Sequence, residues 1–496
     1  MRALGRIVLA TLLGLATPAV AETDLRIGGG LFPPGKGNPL RNSAQPYWYI
    51  YAAMFDTLTH VNSAGDVEPW LAQRWEQTSP QTWRFHLRPN VAFTNGEPVD
   101  STAVAATIAY LTSTEGQREI VAGRMPKGLT VKIIDPLTVD LTVPEADPLL
   151  PRRFHELWIL PPKKWAADGP EKFAANPAGS GPYAFESWGN ARIRMVRNPK
   201  SWRQAPTDRL DILSIIEPSA RNSALVTGGV DIAMGSAGPD SVDEITRGGG
   251  SIHTERLPAS IALGLVTLTD ERFRDVRVRQ ALNYAVDKDA IVKVLLAGGA
   301  KIGTQPAIAG ALGYNAALAP YPHDPAKAKA LLAEAGYPDG FSFVMELPTG
   351  TALWDAVFPQ MAADLTRVGV KMEVRLYPNH IVAQHERDGT WEGSAWAAAY
   401  VSTAFDALEP MTRYACGRPN SPFCDEAFTP VVNRALASAD PDTRRKATEE
   451  AMTLARDRAM GVFLYESIAF IGLGPRVKTF ATDFAFIRYE RLKIAP

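Results

Sequence analysis

Apolar and polar residues alternate through Trp83-Arg84-Phe85-His86-Leu87, the period-two pattern of a half-buried strand, and Asn95-Gly96 soon afterwards marks a turn. Further along, the period lengthens. Val278, Ala281, Leu282 and Ala285 recur at the spacing of one helix face, and Asp287 is placed to cap a following helix that carries Ile291, Val292 and Leu295. Asp324-Pro325 supplies an N-cap and a first-turn proline before Ala328, Leu331, Leu332 and Ala335, and Gly336 follows as a stop. These apolar stripes are read as core-facing surfaces. Helix and strand signals run along the whole chain with no internal repeat, low-complexity tract or long linker. That predicts one continuous, compact α/β body.

Residues 1–21 follow a different pattern. Arg2 and Arg6 precede an apolar run at 7–16, and Ala19-Val20-Ala21 offers small residues at a cut, the arrangement of a secretory signal peptide. About ten apolar residues fall short of the roughly twenty that cross a bilayer, so a retained anchor is the weaker reading. No cysteine lies near the cut, so a lipoprotein is not expected. The mature chain is expected to begin near Glu22, after cleavage at about Ala21, and to reside in the periplasm.

Charge narrows the partners. The 496 residues are 46% hydrophobic and carry 52 basic against 53 acidic side chains, and loss of Arg2 and Arg6 with the leader leaves a mature charge of about −3. A nearly neutral surface argues against nucleic acid, and the one dense basic stretch, Arg272, Arg274, Arg277 and Arg279, is interrupted by Phe273, Asp275, Val276 and Val278. It is read as a solvated helix entry. The two cysteines, Cys416 and Cys424, share a short loop with Gly417, Pro419 and Pro422. In an oxidising compartment they are expected to form a disulfide. A metal pair is the alternative, but the residues between them bring no histidine and no second pair.

Motifs of catalysis are missing. The chain has no Gly-x-Ser-x-Gly elbow, no His-Glu-x-x-His and no phosphate-binding loop, and the runs Gly28-Gly29-Gly30 and Gly248-Gly249-Gly250 miss the dinucleotide pattern and read as loops. Glu449-Glu450 read as solvated carboxylates on a helix. His380 and His385 stand at a poor interval for one helical face and read as surface residues. The expectation is a protein without enzyme activity, cofactor or metal, with a secreted hydrolase as the rival class.

Several segments, in order, resemble the family 5 extracellular solute-binding proteins, whose members include dipeptide-, oligopeptide-, nickel- and opine-binding types. They are Val67-Glu68-Pro69-Trp70-Leu71-Ala72-Gln73-Arg74-Trp75, Leu87-Arg88-Pro89-Asn90-Val91-Ala92-Phe93, Gly179-Ser180-Gly181-Pro182-Tyr183, Arg197-Asn198-Pro199-Lys200-Ser201-Trp202 and Gly228-Gly229-Val230-Asp231-Ile232. The second half adds 276–288, which ends Tyr284-Ala285-Val286-Asp287-Lys288, and 324–337. The resemblance runs from about residue 25 to the end. It implies a periplasmic-binding-protein type II-like fold of two α/β lobes with a hinge. The first lobe would comprise 22–60 and 179–258, with an extra subdomain at 61–178; the second would be 259–472, and 473–496 would return to the first. The implied role is the solute-binding component of an ABC import system, a monomer that holds a small organic solute between closing lobes and delivers it to an inner-membrane permease with its ATPase subunits. A binding protein that informs a chemoreceptor or sensor shares the fold.

The resemblance also points to loops that would face the solute. In the loop 42–49, Tyr47 and Trp48 offer aromatic faces for stacking, with core packing as the alternative. Thr267 stands where relatives often carry an asparagine, and would otherwise be an ordinary strand threonine. In 391–406, peptide-binding relatives place an aspartate that pairs with the peptide amine. Here Ser402 and Thr403 stand near that place, and Asp406 is the nearest carboxylate, either a ligand contact or a helix cap. No arginine for a peptide carboxylate occurs near 347–351. Trp391, Trp396, Tyr400 and Phe405 suit an organic ligand with apolar or planar parts, such as a modified amino acid, a short peptide, an opine-like conjugate or a glycoside.

Overall fold

The computed structural model describes residues 23–41, 47–236, 238–350, 352–402, 404–418 and 420–495. The expected leader, the loop 42–46 and Thr403 lie outside the described residues.

Two strands, Ser251–Leu265 and Gly461–Leu473, are much longer than their neighbours, and they pair antiparallel with each other. Their pairing slips between Arg256 and Ser260, where Leu257, Pro258 and Ala259 stand opposite Ser467, and again between Ile261 and Ala262. Surplus residues on one strand bend and twist a sheet, and Pro258 has no N–H to offer the ladder. The two strands therefore change direction together.

On one side of the bend the sheet continues through Ile232–Ser236, Asp24–Gly29, Arg209–Ser214, Arg192–Arg197 and Tyr183–Trp188. On the other it continues through Ala395–Val401, Phe341–Pro348 and Val370–Tyr377. Each side holds parallel pairs, Asp24–Gly29 with Arg209–Ser214 and Phe341–Pro348 with Val370–Tyr377, which require covering connections and so pack helices on the sheet. The outcome is a two-lobed α/β fold of periplasmic-binding-protein type II kind, in which the lobes are joined by two crossing strands. An extra subdomain has its own antiparallel sheet, in the order Ala72–Ser79, Thr82–Leu87, Thr138–Thr142, Thr130–Asp135. Its helix Ser101–Thr112 is capped by Asp100, which accepts from the N–H groups of Thr102 and Ala103.

Asp56 explains why three of the sequence segments belong together. It is fully buried, and it accepts from Trp70 Nε1 (3.0 Å), Ser180 Oγ (2.7 Å), Trp202 Nε1 (3.1 Å) and Arg203 Nε (2.7 Å). Arg203 also donates to the carbonyls of Ala52 and Phe55. One carboxylate thus ties the first lobe to the start of the extra subdomain.

The pattern-based expectations hold at Thr82–Leu87, a strand, and at Gly96, which takes a positive φ of 89° in its turn. Val276–Ala285 buries Val278, Ala281, Leu282 and Ala285, and Asp324 caps Pro325–Glu334 by accepting from Lys327 N–H. The helix after Asp287 begins as expected and then widens into a π-helical turn at Ile291–Leu295. Arg279 departs from the solvated reading: it is 2% exposed, and its guanidinium donates to the carbonyls of Phe273, Arg274, Arg458 and Ala459. Its head reaches carbonyls at the ends of two helical segments, Glu271–Arg274 and Pro441–Asp457, that their own helices leave unpaired. Cys416 and Cys424 form a disulfide. Among the described residues no helix is long and apolar enough to cross a membrane.

Candidate functional site

One hollow borders the two crossing strands, and a second lies beside the strand Ala395–Val401. The first has a volume of about 330 Å³ and a mostly apolar lining. The end of Asp24–Gly29 contributes Leu31, the helix Trp48–Met54 brings Tyr49, and Tyr47 precedes it. The helix Pro218–Val226 brings Arg221, and the hinge strand itself supplies Glu255 and Leu257. Tyr49 reaches this position because residue 29 is glycine: a Cβ there would stand 2.0 Å from the phenol oxygen. Burial pushes the Tyr49 phenol far above its ordinary range, so it remains a neutral donor.

Arg221 is buried but largely satisfied. Its Nη1 donates to the carbonyls of Ile215 and Ile216 at 2.6 Å, and Nη2 donates to Gly235 at 2.9 Å, while Nε has no hydrogen-bond partner among the described residues. Burial holds its pKa below the usual arginine value. Glu255 is 3% exposed, and its Oε2 likewise has no hydrogen-bond partner among the described residues.

The second hollow, about 220 Å³, lies along Ala395–Val401 and includes Trp396, Tyr400, Arg413 and Tyr414. Tyr414 donates to Tyr400 at 3.0 Å, and burial raises the Tyr400 pKa to about 12. Arg413 pairs with Glu386.

The residues selected from the sequence separate between these places. Tyr47 lines the first hollow, and Trp396 and Tyr400 line the second. Trp48, Thr267, Trp391, Phe405 and Asp406 belong to neither lining. Trp48 is buried edge-on against His155 at 5.3 Å. Trp391 packs on Trp396 at 4.5 Å between ring centres, and Trp396 covers Gly264, where a Cβ would meet the indole at 2.6 Å. Thr267 donates its N–H to the Pro422 carbonyl, next to the disulfide loop. Asp406 is 2% exposed: it pairs with Arg444 and accepts from Leu408 N–H at 3.2 Å, so its carboxylate is engaged inside the second lobe. Phe405, at a positive φ of 52°, packs 4.2 Å from Phe484 and 5.5 Å from His155, bridging the lobes.

Sequence reasoning overlooked Arg221, Glu255 and Leu257. The glycine run at 28–30 was the available signal, since glycine marks close approach of another group, but nothing local named Tyr49 as that group. His385, read as a surface residue, is instead buried, with Nδ1 2.8 Å from Glu346 Oε2, because its helix turns that face onto Phe341–Pro348. His380 is exposed. His60, Glu68 and Asp483 approach one another closely enough to hold a metal ion, but Arg488 Nη1 already sits 2.7 Å from Glu68 and 2.8 Å from Asp483. Burial lowers the His60 pKa. This cluster is an ion-pair network that fastens the C-terminal segment to the hairpin of Thr59–Val61 and Val67–Pro69.

Residues 66–419 match the family described as bacterial extracellular solute-binding proteins, family 5 Middle. The nickel-binding periplasmic protein of Escherichia coli K12 is 26% identical over 457 residues, covering 86% of this chain and 85% of that protein. Heme-binding protein A of Haemophilus influenzae is 26% identical over 445 residues, covering 83% and 81%. The solved structure of HbpA2 from Haemophilus parasuis superposes with a TM-score of 0.81 at 23% identity, covering 96% of this chain and all of that one.

Proposed function

The chain belongs to the family 5 bacterial extracellular solute-binding proteins, and from that premise we propose that it captures a small organic solute between its lobes and delivers it to an ABC permease. The observation that carries this reading is the position of the 330 Å³ hollow. Glu255 and Leu257 on one hinge strand, and Ala469 and Ile471 on the other, line it directly. A solute held there touches the strands whose bend sets the angle between the lobes. Closure that adds contacts from the second lobe lowers the free energy of the closed form alone, so binding shifts the population toward it. The permease then distinguishes loaded from empty protein by shape.

The lobes would divide at the bend. Residues 22–60, 179–258 and the C-terminal segment form the first lobe, 61–178 its extra subdomain, and the chain from 259 the second. We place the return crossing at Ser467, where the pairing slips, rather than at 472. The protein would act in the periplasm as a monomer, released from its leader near Ala21, with no chemical step. The lining suits an uncharged or zwitterionic organic molecule with apolar parts, such as a modified amino acid, short peptide or opine-like conjugate.

Small-angle scattering of the mature chain, with and without a solute that raises its melting temperature, tests the proposal. A solute at a hundred times its Kd adds about 2.7 kcal/mol of stability. A smaller radius of gyration in the same sample supports closure. A bound solute with an unchanged profile, or a product released from it, would overturn the reading.

A further inference from the structure

Glu255 has ionisable neighbours, but its Oε2 receives no hydrogen bond among the described residues. Its neighbour Arg256 turns to the opposite face of the strand, donates to the Ala309 carbonyl and stands 3.6 Å from Glu466. His253 Nε2 lies 3.5 Å from Glu255 Oε2 but is 2.9 Å from Thr482 Oγ1, and it makes no hydrogen bond to the carboxylate. A buried carboxylate oxygen without a donor is costly, and folded proteins retain such groups where something else supplies the donor. Here the carboxylate lines a hollow. The other buried carboxylate considered for a cationic solute, Asp406, is already neutralised by Arg444.

We propose that Glu255 is the cation-recognising residue of this cleft, and that the solute carries a protonated amine to it while its apolar portion lies against Leu31, Tyr47 and Leu257. The inference rests on the solute-binding reading and names the chemical class of solute. A metal ion is a poor occupant, because the described lining offers one carboxylate and no histidine or cysteine, whereas an ammonium group is satisfied by one carboxylate and nearby neutral oxygens. Arg221 Nε–H, unpaired in the same lining, would donate to an oxygen of the solute, which favours a zwitterion over a simple amine. Position gives the contact a second consequence. Glu255 lies just before the slip at Arg256 and Ser260, so an ammonium drawn to it pulls on the hinge strand at its bend.

The test uses the mature full-length chain and matched probes: a set of free amino acids and dipeptides, the same molecules N-acetylated, and the same molecules as C-terminal amides. Thermal unfolding selects the binders and calorimetry measures them. Free-amine members should bind and their N-acetyl counterparts should not. Glu255→Gln, which preserves shape, should weaken the free-amine probes by about ten- to a hundredfold, the loss of one charge-assisted hydrogen bond. Unliganded melting of Glu255→Gln at or above wild type shows that the fold is intact. Equal binding of acetylated and free forms, or unchanged affinity in Glu255→Gln, overturns the inference and leaves solute binding standing. If no probe binds, the inference also fails. Scattering on protein carrying whatever neutral solute co-purifies then decides separately whether closure on a solute survives.

Discussion

Two buried carboxylates in the first lobe, Asp56 and Glu255, have nearly the same exposure and opposite surroundings. Asp56 receives four side-chain donors, drawn from Trp70, Ser180, Trp202 and Arg203. Glu255 keeps an oxygen, Oε2, with no donor among the described residues, and the residue lines a hollow at the hinge. Burial alone therefore says little about a charged group. A fully engaged carboxylate holds segments together, and one that folding leaves unpaired is available to a molecule arriving later.

Removal of Asp56 should have the largest effect. Asp56→Ala takes from the Arg203 guanidinium, which is 1% exposed, its 2.7 Å partner and leaves only Glu490, 3.4 Å from Nη1, as counter-charge, and two indole N–H groups lose their acceptor. Breaking a buried pair in this way is expected to lower stability by about 3 to 5 kcal/mol, read by urea unfolding. A loss under about 1 kcal/mol would show that the four donors find water or other acceptors, and would remove the distinction drawn here.

The disulfide comes next. Replacing both Cys416 and Cys424 with serine frees a short loop, and loop-closure entropy predicts a loss of about 2 to 3 kcal/mol. The loop also receives the N–H of Thr267 at Pro422, so the variant should loosen the end of the strand Ser251–Leu265. Hydrogen exchange at Thr267 reports that directly. Protection unchanged from wild type would separate the disulfide from the sheet.

A third carboxylate lies between the extremes. Glu156 is buried, pairs with Arg124 at 2.9 Å through Oε1, and leaves Oε2 unpaired among the described residues. Burial raises its pKa to about 8, with Arg124 opposing and nearby Glu409 of the second lobe adding to the rise. Between its ordinary value of 4.5 and about 8 the folded chain holds a proton that the unfolded chain has lost. Stability contributed by that proton is complete below 4.5 and declines as pH climbs to 8, by at most about 1.4 kcal/mol per pH unit. Glu156→Gln removes this decline. Its melting temperature should match wild type near pH 4.5 and exceed it at pH 9, and parallel curves for the two proteins would refute the assignment.

The contrast between Asp56 and Glu255 also marks what the sequence could reveal. Caps and periodic faces were legible because they are local: Asp324 acts three residues from Lys327, and Val278 one turn from Ala281 and Leu282. The segments around Trp70, Ser180 and Trp202 were legible as a family resemblance, although the shared partner, Asp56, was not. Site residues were harder. The first hollow gathers Tyr49, Arg221, Glu255 and Ile471 from positions far apart in the chain, and only the sheet order makes them neighbours. Aromatic residues are ambiguous for a related reason. Trp391 and Trp396 have the composition of a ligand wall, but each has the other as a partner, and Gly264 provides the space beneath Trp396. Nothing in the local pattern distinguishes a ring that stacks on a solute from one that stacks on its neighbour.

The smallest expected effect is the most informative. Without a solute, Glu255→Gln should leave stability within about 1 kcal/mol of wild type, or raise it, because the replacement removes a buried charge that no donor compensates and keeps the side chain's volume. Asp56→Asn, the same exchange at the other carboxylate, should be clearly destabilising, since the amide nitrogen brings donor hydrogens toward Trp70, Ser180, Trp202 or Arg203 where each of them already donates. Urea unfolding of the two variants side by side measures the difference with size and shape held constant. Equal losses would mean that Glu255 has partners as firm as those of Asp56, and the vacant oxygen at the hinge would then no longer indicate a binding group.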